Sequence, residues 1–139
     1  MSTSVAAVSA IAAALGVAGV LGLLHNRRHG VLRDTAESSD VDTTGLGLSE
    51  TGPTIVHFTA VWCGPCAAVR RVVDQVCGQL PQVAHVEIDM DDNPALARKL
   101  SVMSLPTTFV FDAEGRQRYR TAGVPKVADL KAALDPLLA

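Results

Sequence analysis

Residues 59–69 read TAVWCGPCAAV and place two thiols, Cys63 and Cys66, three positions apart. Thiols at this spacing can exchange with disulfides, supply half of a metal site, or sit as a structural pair at a helix start. A metal needs four ligands, usually with a second Cys or His pair at matching spacing. Only Cys77 remains as a third cysteine, and His57 and His85 stand singly in segments with strand character. No metal site is therefore expected. The redox reading has more physical support, because a helix N-terminus presents unpaired N–H groups and the positive end of the helix dipole. Both favour a thiolate over a thiol. Cys63, at the exposed tip, is the expected attacking thiolate, and Cys66, one turn in, the thiol that resolves the mixed disulfide. Pro65 loses nothing in a first turn whose N–H groups lack partners. Cys77, on the apolar stripe of the same helix, reads as a core residue.

The elements that must hold this pair in place follow from the surrounding pattern. "TIVHF" (54–58) is apolar and β-branched and predicts a buried strand. Val69, Val72, Val73, Val76 and Leu80 recur at spacings of three and four, which predicts a helix over 63–80 ended by Pro81. "VAHVEID" alternates as a strand does. "DDNPALARKL" opens a second helix with Asn93 as N-cap and Pro94 at the first helical position. "TTFVFD" and "RQRYRTA" flank "AEG" as a hairpin, and "VPKVADLKAALDPLL" closes the chain as an amphipathic helix. The order β-α-β-α-β-β-α predicts an α/β domain over 53–139, a mixed central sheet flanked by helices. The alternating Arg116, Arg118 and Arg120 read as a solvated face.

Charge is unevenly spread over the 139 residues. Residues 53–139 carry nine basic and nine acidic side chains, so nothing there favours a nucleic-acid partner. Residues 4–24 carry no charge and contain nine Val, Leu or Ile and seven Ala. As a helix those 21 residues reach about 31 Å, close to the thickness of a bilayer core. A short tail (1–3) without Lys or Arg precedes the segment, and "LLHNRRHG" follows it with no small-residue cleavage site. An uncleaved single-pass anchor is therefore expected rather than a cleaved signal peptide. Arg27, Arg28 and Arg33 follow the span, which places the C-terminal side in the cytoplasm by the positive-inside rule. The alternative is an extracytoplasmic domain. His25 and His29 flank these arginines and read as interfacial. The rest of 25–52 is acidic and rich in Ser, Thr and Gly, the composition of a flexible tether. Within it "GLGL" (45–48) is a candidate edge strand.

From Pro53 onward the chain resembles a thioredoxin. "WCGPC" matches that family's active site, and forty residues after Cys66 "VMSLPTTFVF" resembles its second signature. The resemblance implies that Pro106 is a cis-proline facing the disulfide and that Leu105 offers backbone hydrogen bonds to an extended substrate peptide. Gly123, in "TAGV", matches the glycine of a third substrate-contacting loop. Trp62 would form part of a flat apolar docking surface, with Gly64 and Pro65 setting the spacing of the thiols. The fold implied is thioredoxin-like, preceded here by one N-terminal transmembrane helix.

Three departures from the family pattern are visible. The extra N-terminal strand and helix of the family have little room before Pro53, so a reduced core is expected. His57 stands where the family carries a buried acid, six residues before Cys63, and His85 stands where a lysine pairs with that acid. A neutral imidazole can accept a proton near physiological pH, so His57 is a candidate acceptor for the Cys66 proton, against the plainer reading of a satisfied core histidine. Arg71 replaces a helix-kinking proline, which predicts a straighter helix.

The function implied is a membrane-tethered thioredoxin-type protein disulfide reductase. It needs no bound cofactor and acts on disulfide-containing protein substrates, with electrons from a protein reductase. The rivals are a disulfide oxidase or isomerase, and a tethered binding module without redox turnover.

Overall fold

The computed structural model of the chain describes residues 2–27, 29–35 and 41–139. Arg28, which entered the topology argument, and residues 36–40 of the acidic segment lie outside the described residues. The first helix, α1 (Ser2–Arg27), contains the expected span of 4–24 and runs beyond it at both ends. Its 24-residue apolar stretch Ser4–Arg27 is long enough to cross a bilayer, and none of it is buried against the rest of the chain. Val8, Ile11, Leu15 and Leu21 all stay exposed.

The remaining elements are β1 (Arg33–Asp34), β2 (Thr54–Thr59), α2 (Cys66–Gln79), β3 (Ala84–Asp89), α3 (Pro94–Lys99), β4 (Thr107–Phe111), β5 (Gln117–Ala122) and α4 (Val127–Leu138). From β2 onward the order is the one expected. The strands form one mixed sheet in the order β1-β5-β4-β2-β3, in which only β2 and β3 are parallel. The central strands β2 and β4 are buried along their whole length. Each sheet face carries its own apolar layer. Ile55 and Val110 pack with Val69, Val73, Val76, Leu130 and Leu134 from α2 and α4. Val56, Phe58, Phe109 and Phe111 pack with Ala97, Leu100 and Val102 on the α3 side.

Part of the segment expected to be a flexible tether is packed on this domain. Strand β1 pairs antiparallel with β5, the Gly30 N–H donates to the Ala122 carbonyl at 2.7 Å, and the Thr35 N–H donates to the Arg118 carbonyl at 2.9 Å. The sheet thus has a fifth strand that the expected reduced core lacked. The "GLGL" stretch is not an edge strand. Gly45 and Gly47 hold φ of +88° and +69°, left-handed values no strand uses, and they turn the chain so that Leu46 enters the core at 1% exposure. One apolar side chain between two glycines therefore caps the α3-side layer.

Three local expectations are corrected as well. Helix α2 starts at Cys66 with Pro65 at the cap position, so Cys63 lies in the preceding turn. Asn93 takes the N-cap position of α3 as expected, but its side chain makes no capping hydrogen bond; its Nδ2 donates instead to the Asp89 carbonyl at 3.0 Å. The three arginines in and just before β5 are not simply solvated. Arg116 and Arg118 donate to Asp112, while Arg120 lies 5.0 Å from the Phe109 ring centre and donates to the Leu100 and Ser101 carbonyls. Helix α2 runs without interruption from Cys66 to Gln79.

Candidate active site

The loop between β2 and α2 sets the geometry of the thiols. The Cys63 N–H donates to the Ala60 carbonyl at 3.0 Å, tightening the turn, and the Pro65 carbonyl accepts from the N–H groups of Ala68 and Val69 as α2 begins. Across that turn Cys63 and Cys66 form a disulfide, with an S–S distance of 2.09 Å and Cα atoms 5.5 Å apart. The two sulfurs are not equivalent. Cys63 is half-exposed, whereas Cys66 is 2% exposed and its Sγ lies 3.9 Å from the Phe58 carbonyl oxygen. An incoming sulfur can reach only the first of them.

Against this pair the fold brings the segment before β4. The Leu105–Pro106 peptide bond is cis, as the resemblance implied. The Pro106 carbonyl accepts the Gly123 N–H at 2.9 Å, which ties the two loops together. Gly123 has φ +89°, and a Cβ there would stand 3.2 Å from Gly30 N and 3.3 Å from His29 Cβ. Pro65, Leu105, Pro106 and Gly123 line one open groove of about 430 Å³, together with Asn26 near the end of α1 and His29 after it. Around it are exposed apolar side chains: Val61 at 96%, Trp62 at 64% and Met103 at 90%. The Trp62 indole donates to Asp91 Oδ2 at 2.9 Å, which fixes the ring beside Cys63.

On β2, His57 is fully buried. Its Nδ1 and the Nε2 of His85 share a hydrogen bond of 2.8 Å, with the rings stacked 4.9 Å apart. Its Nε2 stands 3.5 Å from Glu87 Oε2 without a hydrogen-bond partner. Burial and the adjacent His85 hold the His57 pKa down to about 4, against a residual pull upward from Glu87. Burial lowers His85 too. Glu87 is gripped by two hydrogen bonds from Arg70, one at 2.8 Å from Nε, and its carboxyl stays below the usual range for that reason. His57, His85 and Glu87 offer ligand atoms within 4.8 Å of one another. Arg70 holds the Glu87 carboxylate, and the bond between the imidazoles takes His57 Nδ1 and His85 Nε2. Burial raises the thiol pKa of Cys77, which is half-buried against the α2–α4 layer.

Of the sequence-predicted site residues, Trp62, Cys63, Gly64, Pro65 and Cys66 lie at the β2–α2 junction, Pro65, Leu105, Pro106 and Gly123 line one groove, and His57 is buried on β2. Asp91, Arg70, Glu87 and His29 were not anticipated. Of these only Arg70 carries a signal in the chain itself, standing one helical turn after Cys66 on the same stripe.

The thioredoxin family model matches residues 45–136, about two thirds of the chain. The thioredoxin of Mycolicibacterium smegmatis is 41% identical over 81 residues, covering 56% of this chain and 67% of that protein. The bifunctional thioredoxin reductase/thioredoxin of Mycobacterium leprae (strain TN) is 37% identical over 78 residues, covering 55% of this chain and 17% of that much longer protein. Among solved structures, chloroplastic thioredoxin z aligns with a TM-score of 0.58 at 32% identity, over 63% of this chain and 80% of its own. Thioredoxin from Trypanosoma brucei brucei aligns with a TM-score of 0.57 at 30% identity, over 66% and 79%. A match of this extent, joined to a Cys63–Cys66 disulfide at a strand–helix junction, makes the chain a member of the thioredoxin family and a thioredoxin-type thiol–disulfide oxidoreductase.

Proposed function

We propose that the protein is a membrane-tethered protein disulfide reductase. The observation that supports this reading is the pair itself: a half-exposed Cys63 and a buried Cys66 joined across Gly-Pro, with Pro65 lining one groove with Pro106. Cys63 Sγ, as thiolate, attacks a substrate disulfide. A mixed disulfide forms and the first substrate thiolate leaves. Cys66 then attacks Cys63 Sγ, the second substrate thiolate leaves, and the Cys63–Cys66 bond is restored. Leu105 would align an extended substrate strand, while Trp62, Pro106 and Gly123 offer the surface on which it lies.

Re-reduction calls for a protein electron donor. One of the relatives carries thioredoxin reductase and thioredoxin in its name as a single protein, which favours a reductase of that class as the donor. The exposed apolar surface of α1 supports a tether, and Arg27, Arg28 and Arg33 on its C-terminal side favour a cytoplasmic redox domain.

The test is insulin reduction by the full-length chain in detergent micelles, with a dithiol as electron source. Turnover that Cys63→Ser abolishes is expected. A chain that captures partners equally well as Cys63→Ser and never turns over is a binding module instead.

A further inference from the structure

The end of α1 is fastened to the redox domain without slack. The His29 N–H donates to the Asn26 carbonyl at 3.3 Å, and the imidazoles of His25 and His29 share a hydrogen bond of 3.1 Å between their Nε2 atoms. One residue on, the Gly30 N–H donates to the Ala122 carbonyl at 2.7 Å. Gly30 lies so close to the next loop that a Cβ there would stand 2.2 Å from the Val124 carbonyl oxygen. Strand β1 then pairs with β5 from Arg33 onward. From Arg27, the last residue of α1, to Gly30 the chain takes three steps, at most about 11 Å when fully extended. A domain held on so short a joint cannot swing far from the end of the helix.

The helix end is also part of the groove. Asn26 and His29 line it together with Pro65, Pro106 and Gly123. Leu24, the last apolar residue of the span, precedes Asn26 by two residues, about 3 Å along the helix axis. The headgroup layer outside a bilayer core is roughly 5–8 Å deep on each side. With α1 across the membrane, Asn26 stands inside that layer, and the groove begins at the lipid–water boundary.

Such a position selects among substrates. A disulfide carried on a large folded body in solution reaches the groove only by pressing that body against the headgroups. A segment that leaves the bilayer beside another protein's span starts at the right depth. Fully extended, it covers about 17 Å in five residues, enough to cross the headgroups and lie in the groove. The residues that border spans are rich in Trp and Tyr, and Val61, Trp62 and Met103 offer them exposed apolar surface.

We propose that the substrates are disulfides of other membrane proteins, carried on extended segments within about five residues of a transmembrane span. The end of α1 sets the depth of the groove and supplies part of its lining. The inference rests on the reading of α1 as a tether and of Cys63 and Cys66 as a disulfide-exchange centre. The chemistry is the exchange given above. The segment's disulfide gains two electrons and two protons and leaves as two thiols, while the two active-site thiols lose the same and close the Cys63–Cys66 bond.

The test uses the full-length chain, reduced and freed of reductant, in phosphatidylcholine vesicles. Two synthetic probes share one transmembrane helix and one small disulfide loop. In the first the loop starts about three residues after the helix, inside the reach of an extended segment. In the second about thirty Gly and Ser residues intervene, which spreads the loop over a root-mean-square distance of about 30 Å. A chain with about twelve Gly and Ser residues inserted between Leu24 and His25 supplies the missing slack and keeps residues 25–139 together. A water-soluble aromatic disulfide that frees a coloured thiolate gives the intrinsic exchange rate of each chain, against which the probe rates are scaled.

The parent chain is expected to reduce the near loop about fivefold faster than the distant one, or more. The insertion should bring that ratio towards one. Equal rates for the two probes in the parent chain overturn the inference, and so does a preference that the insertion leaves intact. If the inserted chain frees no coloured thiolate, the ratio measured with the parent decides alone. A parent chain that washes off the vesicles in alkaline carbonate removes the tether. One that frees no coloured thiolate removes disulfide exchange. In either case the inference falls with the reading beneath it, an outcome distinct from equal probe rates.

Discussion

The indole of Trp62 donates its Nε1 proton to Asp91 at 2.9 Å, so a side chain from the loop after β3 holds the ring beside Cys63. The ring is 64% exposed, too open for packing alone to orient it. Asp91 is therefore a positioning residue for the docking surface. Asp91→Ala should raise KM for insulin reduction about fivefold and leave kcat nearly unchanged, the worth of one hydrogen bond near 1 kcal/mol. Trp62 is the single tryptophan, so its fluorescence anisotropy should fall in the same variant. An unchanged KM and anisotropy would show that the bond does not order the ring.

Gly123 joins three constraints: φ of +89°, a hydrogen bond from its N–H to the Pro106 carbonyl, and close contact with Gly30 and His29. Gly123→Ala forces a side chain into left-handed backbone, at a cost of about 1–2 kcal/mol. Chemical denaturation of the full-length chain should show that loss. Insulin reduction should drop as well, because the groove wall shifts. Wild-type stability in the variant would mean that the loop relaxes without strain.

The His57 pKa makes stability depend on pH with a definite sign. The folded chain holds this imidazole neutral down to about 4, whereas the unfolded chain protonates it from its ordinary value of 6.5. Between those values the unfolded state binds more protons, so stability falls as pH falls from 6.5 towards 4. At about 1.4 kcal/mol per unit the loss reaches at most about 3.5 kcal/mol. His85, lowered by burial, adds to it in the same direction. Glu87, held low by Arg70, loses its contribution only further down. Denaturation midpoints at about pH 7 and about pH 4.5 should therefore converge in His57→Leu and diverge in the parent protein. Equal slopes for the two proteins would contradict a buried, neutral His57.

The residues that announce this site in the sequence are those whose role is local. Cys63, Pro65 and Cys66 lie on one turn, and Val69, Val73 and Val76 mark the helix behind them by spacing alone. Pro106 was legible only through resemblance, and so were Leu105 and Gly123. What escaped depends on contacts between distant segments. Strand β1 is two charged residues, Arg33 and Asp34, with no alternation to mark it, and it exists because backbone groups of β5 are available to pair. Leu46 looks like a linker residue until two left-handed glycines turn it into the core. The chain from Asp74 through His85 and His57 to Glu87 and Arg70 joins α2, β2 and β3. Arg70 and Glu87 are 17 residues apart, the two histidines 28, and His57 and Glu87 further still. No local pattern could have linked them.

The central claim is that electrons flow from Cys63 and Cys66 to substrates, and the reduction potential of that couple tests it most directly. The full-length chain in detergent micelles would be equilibrated against glutathione and the dithiol fraction measured. A disulfide reductase should lie near the roughly −270 mV of thioredoxin. A value near the roughly −120 mV of a strong dithiol oxidant would contradict the account and reverse the direction of transfer.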